Sequence, residues 1–115
     1  MNRNSTKLTA REFMARAAEK VDAHKGEASA IGGVFKFVLA GDGGGTFLID
    51  LGADPSVRET DGDAQCVLRM AARDFVRLVE GAANPKLLVL SGKLKIEGDK
   101  SLALKLSNFT RLLRA

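Results

Sequence analysis

Residues Ser91 to Leu106 read SGKLKIEGDKSLALKL. From Gly92 to Gly98 charged and apolar residues alternate, with Leu94 and Ile96 on one side and Lys93, Lys95 and Glu97 on the other. A period of two is the signature of a strand with one buried face. Asp99 then has the chemistry of a helix N-cap, a short acceptor side chain ahead of unpaired N–H groups. Beyond it, Leu102, Leu106, Phe109 and Leu113 are spaced by four, three and four residues, an amphipathic helical stripe. A strand therefore runs straight into a C-terminal helix whose apolar face needs a sheet to cover.

Upstream sequence supplies that sheet. Val34–Leu39 and Thr46–Leu51 are two β-rich runs in which Phe35, Phe37 and Leu39 share one face, and Phe47, Ile49 and Leu51 another. The connection Ala40-Gly41-Asp42-Gly43-Gly44-Gly45 satisfies neither phosphate-loop pattern and leads into a strand, so it reads as a hairpin turn. A short third strand is expected within residues 54–60. Ala64 to Met70 is a fourth, with Ala64, Cys66, Leu68 and Met70 facing one way.

Thr9-Ala10-Arg11-Glu12 forms a capping box that opens a helix to about Ala23, with Phe13, Met14, Ala17, Ala18 and Val21 on its apolar face. Arg73 and Asp74 open a short helix with Phe75, Leu78 and Val79 inward, closed by Gly81. Asn84-Pro85 starts another, with Pro85 at N1 and Leu87, Leu88 and Leu90 following. The count is five strands and four helices in one domain spanning residues 1–115. Residues 1–8 are mostly polar and expected to fray.

Composition sets the limits. At 115 residues the chain is long enough for a single core, and with six Phe and no Trp or Tyr that core must be mainly aliphatic. The single Cys66 excludes an internal disulfide, and the N-terminus lacks the apolar run of a secretory signal, so the expected compartment is the cytoplasm. The net charge of +4 has a location: residues 93–115 hold six basic groups against Glu97 and Asp99, and the rest of the chain is balanced. Such a segment suits an anionic membrane better than nucleic acid, because it has no interleaved aromatics to stack on bases.

No catalytic constellation emerges. His24 lies in polar sequence near a helix end, and Cys66 shares a strand face with Leu68 and Met70. Two isolated residues make neither a zinc site nor a nucleophile with its base, and no GxSxG motif is present. The expectation is a protein that is not an enzyme and uses no metal or cofactor.

The order Asp74-Phe75, Gly81, Asn84-Pro85, an apolar run, Gly92-Lys93-Leu94-Lys95-Ile96, Gly98-Asp99, Leu102-Ala103 and Lys105-Leu106 closely resembles the sterol carrier protein 2 domain, a lipid-binding family. The resemblance covers roughly residues 28–113. It implies an α+β fold, an α/β sandwich in which a five-stranded mixed or antiparallel sheet and its helices enclose an apolar lipid tunnel. The function implied is non-catalytic binding and intracellular transfer of a hydrophobic lipid: a sterol, fatty acid or acyl-CoA, phospholipid or isoprenoid. The residues expected to line the site are Phe75, Leu78, Leu87, Leu88, Leu90, Leu102, Leu106 and Phe109, with Leu68, Met70, Leu94 and Ile96 as its sheet floor. Lys100, Lys105, Arg111 and Arg114 are expected to face outward and make transient contact with anionic membranes, while the stripe beneath them closes the tunnel. An alternative implied by the family is an accessory or interaction protein, a homodimer or the partner of a larger lipid- or quinone-metabolising enzyme.

Overall fold

A computed structural model of the chain describes residues 8–114, with side chains through Leu113. The expected fraying at the N-terminus falls on residues that, Leu8 apart, lie outside the described ones. Eleven elements follow in chain order: α1 (Ala10–Ala23), α2 (Lys25–Ile31), β1 (Val34–Ala40), β2 (Gly45–Asp50), β3 (Ser56–Arg58), β4 (Cys66–Ala71), α3 (Ala72–Val79), α4 (Pro85–Leu90), β5 (Lys95–Gly98), α5 (Lys100–Ala103) and α6 (Leu106–Arg114).

The strands form one sheet in the order β3-β2-β1-β4-β5. β1 pairs antiparallel with β2, setting Phe37 opposite Phe47, and parallel with β4, setting Phe37 opposite Leu68. β4 pairs antiparallel with β5, Leu68 facing Ile96. The sheet is therefore mixed, its single parallel pair at the centre.

Alternation along these strands decides which face the helices cover. Phe35, Phe37, Leu39, Phe47, Ile49, Cys66, Leu68 and Met70 are buried. The intervening residues are half-buried or exposed and carry ion pairs, Lys36 to Asp61 at 2.8 Å and Arg69 to Glu97 at 3.1 Å. The Phe37 ring meets Phe75 of α3 edge-on at 5.5 Å and Phe109 of α6 at 5.8 Å, so three distant parts of the chain converge on one aromatic cluster. Each fully buried Phe or Leu is worth about 1.5–3 kcal/mol, and this interface is the core.

Local signals act where they were read. Thr9 Oγ1 accepts from the Glu12 N–H at 3.2 Å while the Glu12 carboxylate accepts from the Thr9 N–H at 2.8 Å, closing the capping box. Asn84 and Asp99 each cap the helix that follows, accepting from the N–H two residues on. Six helices form in place of the expected four. One addition is α2, which carries Gly26 inside it and turns inward through Ala28 and Ile31, both buried. The other arises because the C-terminal helix is broken at Leu104 and Lys105. α5 packs on β4 and β5, whereas α6 crosses α1, α2 and α3. One straight helix cannot lie along both surfaces, and the break redirects the chain. It also shifts the helical phase, so that Leu112 is buried with Leu106 and Phe109 where Leu113 was expected.

Candidate functional site

α4 has the sequence Pro-Lys-Leu-Leu-Val-Leu, too apolar for a six-residue helix to hide. Leu88 points into the core. Leu87, Val89 and Leu90 stand out in solvent, joined by Leu104 at the α5–α6 break; these are the exposed large hydrophobic side chains among the described residues. After α4 the chain doubles back, with the Leu94 N–H donating to the Leu88 carbonyl at 3.0 Å, and this places Leu94 and Ile96 beneath the helix.

Between α4, the β5 segment and α5 lies an open groove of about 390 Å³. Its walls are Val89, Leu90, Leu94, Ile96, Ala103, Leu104 and Leu106, and Lys86 and Lys100 flank them. Lysine stems extend apolar surface while keeping the ammonium in water, so the groove is aliphatic within and cationic at its margin. A second hollow of about 490 Å³ adjoins it on the other side of α4, reached by Leu87, Leu88, Leu90 and Lys93.

The residues expected to line a tunnel divide into two sets. Leu90, Leu94, Ile96 and Leu106 meet at the groove, and Leu87 and Leu88 at the second hollow. Leu88, Leu94 and Leu106 are core residues that also reach these hollows, whereas Leu68, Met70, Phe75, Leu78, Leu102 and Phe109 lie in the packed core and line neither. Leu68 and Phe75 have 0% of their surface accessible, so no space the size of a water touches them. The groove lining also includes Pro85, Lys86, Val89, Ala103 and Leu104, which the sequence reading did not name as lining; for Val89 the available signal was the run of four apolar residues in α4.

The expected outward-facing basic set also divides. Lys100 is exposed beside the groove. Lys105 points inward instead, its ammonium donating to the Ile31 carbonyl at 2.6 Å, because the end of α2 leaves that oxygen without a helical partner. Arg111 lies over a separate hollow with Glu27 and Asn108, between α2 and α6. The Arg114 side chain is outside the described residues.

Burial pushes the Cys66 thiol above its ordinary range, with the Asp99 carboxylate adding to the effect, which keeps it a neutral side chain of the core. His24 caps α1 and lies 3.2 Å from the Glu27 carboxylate. Among the described residues no three His, Cys, Asp or Glu gather where they could hold a metal ion, and no helix is long and apolar enough to cross a membrane.

The five-stranded mixed sheet with its covering helices is the fold of solved sterol carrier protein 2 structures. That from Yarrowia lipolytica, in its apo form, superposes with a TM-score of 0.75 at 22% identity, covering 87% of this chain and 88% of that one. A structure of the Aedes aegypti sterol carrier protein in complex with the C16 fatty acid palmitate gives 0.65 at 19% identity, covering 87% and 96%. The sequence profile of the SCP-2 sterol transfer family matches residues 13–111, and the chain belongs to that family. Bovine (Bos taurus) hydroxysteroid dehydrogenase-like protein 2 is 40% identical over 76 residues, which is 64% of this chain and 18% of that protein. The chain thus spans about a fifth of the length of the curated relatives it matches.

Proposed function

We propose that this chain binds a hydrophobic lipid without chemical conversion and transfers it, with the groove between α4, β5 and α5 as the binding site. The observation that carries the reading is the groove's chemistry: aliphatic walls of Leu90, Leu94, Ile96 and Leu106, flanked by Lys86 and Lys100. Its volume of about 390 Å³ falls within the range of roughly 300–1,000 Å³ typical of small-molecule sites. Family membership and the palmitate held by the Aedes aegypti protein support the same class of ligand. An aliphatic chain with an anionic head fits best, its methylenes along the leucines and its head beside the two ammonium groups. Burying about ten methylenes yields roughly 8 kcal/mol at about 0.8 each, the scale of a micromolar dissociation constant.

The test is titration with a fluorescent fatty acid, expected to saturate at one per chain. Ala103→Trp, which fills the groove from a half-buried wall position, is expected to weaken binding by about tenfold or more, since an occupied site rejects added volume. Non-saturable binding, or full affinity in a folded Ala103→Trp chain, would remove the groove from consideration.

A further inference from the structure

We infer that the lip formed by α4 and the α5–α6 break is a docking surface for anionic lipid bilayers, inserting Leu87, Leu90 and Leu104 while Lys86, Lys93 and Lys100 meet the headgroups. Leu90 is 82% exposed, Leu104 79% and Leu87 63%, whereas the other described leucines are buried or half-buried. They are contiguous: Leu90 belongs to both hollows, Leu104 joins it at the groove, and Leu87 joins it on the other side of α4. Exposed leucines in continuous array mark a surface that meets another apolar phase.

Charge identifies the phase. Lys86 and Lys100 line one hollow, and Arg77 and Lys93 the other, while neither lining includes an Asp or Glu among the described residues. The ammonium groups of Lys86, Lys93 and Lys100 have no carboxylate partner among the described residues. Lysine is depleted from protein–protein interfaces, whereas projecting leucines ringed by lysines are the composition of a segment that settles into the headgroup layer of an anionic membrane. This surface differs from the one expected on the terminal helix, because Lys105 is turned to Ile31 and Arg111 faces the α2 side. Delivery of cargo through the lip rests on the lipid-carrier reading; attachment to the bilayer does not.

The chain has no Trp, so a single introduced Trp reports its own surroundings. Leu87 lies outside the proposed groove, and Glu19 is exposed on α1, which packs beside β3 at the opposite edge of the sheet. With vesicles of equal parts phosphatidylcholine and phosphatidylserine, Leu87→Trp emission is expected to shift to the blue and Glu19→Trp emission to stay unchanged, the shift fading with added salt. Lys93→Gln is expected to weaken vesicle partition about fivefold, the loss of one basic group at an anionic surface. An unshifted Leu87→Trp, a shift at Glu19→Trp instead, or a chain that ignores vesicles and is captured through α4 by a protein partner overturns the inference. Fatty-acid titration of Leu87→Trp without vesicles separates the two readings: docking without probe binding sinks the carrier function alone, and probe binding without docking sinks the lip alone.

Discussion

The ammonium of Lys105 donates a 2.6 Å hydrogen bond to the carbonyl oxygen of Ile31, a residue 74 positions earlier in the chain. It ties the break before α6 to the end of α2, placing a positive charge where a helix leaves its last carbonyls unpaired. A partly buried, charge-assisted bond of this kind is worth about 1.5–3 kcal/mol. Lys105→Met is therefore expected to lower unfolding free energy by about 2 kcal/mol, measured by urea denaturation. A loss below about 0.5 kcal/mol, the range of an ordinary surface substitution, would show that the tie is not structural.

The stripe Leu102, Leu106, Phe109 and Leu112 is part of the core, not a detachable cover. Phe109→Ala is expected to cost about 3–5 kcal/mol, a large share of a domain's usual stability. Ending the chain after Asp99 is expected to abolish cooperative unfolding altogether, seen as a featureless calorimetric scan. Leu104→Ser, which removes an equally apolar side chain from solvent, is expected to change stability by less than about 0.5 kcal/mol.

Gly92 and Gly98 bracket the decisive stretch, and both adopt positive φ, 77° and 84°. A side chain at Gly92 meets open space, so Gly92→Ala is expected to cost only the left-handed penalty of about 1–2 kcal/mol. At Gly98 a Cβ would lie 2.5 Å from the Gln65 carbonyl oxygen, which is backbone and held by the Asp99 N–H at 2.7 Å. Gly98→Ala is expected to cost clearly more and to expose the β5 amides to hydrogen exchange. Equal costs at the two positions would refute the contrast.

Hydrogen bonds from the Ser101 hydroxyl and then the Ser101 N–H hold the Asp99 carboxyl below its ordinary value of 3.8. Asp61 is lowered by its bond from Lys36 and then by the Gly62 N–H. A carboxyl whose folded value is depressed binds fewer protons folded than unfolded, so its stabilising contribution is present above the ordinary value and lost as pH falls through the folded one. Stability is expected to decline below about pH 4, with a shallower decline in Asp99→Asn, followed by denaturant midpoints across acid pH. An unchanged slope in Asp99→Asn would remove the cap from the acid response.

Helix caps and strand alternation depend on residues within a few positions, and these the sequence alone determined, although α2, equally local, was not among them. The Thr9–Glu12 box, the alternating face of β4, the Asn84-Pro85 start and the Asp99 cap are of this kind, since the residues that decide them sit within one another's reach; the Phe35–Leu51 hairpin was legible through its two alternating runs and the glycines between them. The order of motifs around Gly92 to Leu106 carried the family as well, and with it a five-stranded sheet. What the tertiary structure decided was which leucines go inside. In the six residues of α4, period 3.6 completes less than two turns, so nothing local separates Leu88, which is buried, from Leu87 and Leu90, which are not. The break at Leu104 and Lys105 follows from α5 lying on the sheet and α6 on three other helices, and the turning of Lys105 toward Ile31 follows from the break. Apolar pattern fixes that a face must be covered; the geometry of the covering elements, set by contacts far apart in the chain, determines where cover runs out and a groove remains.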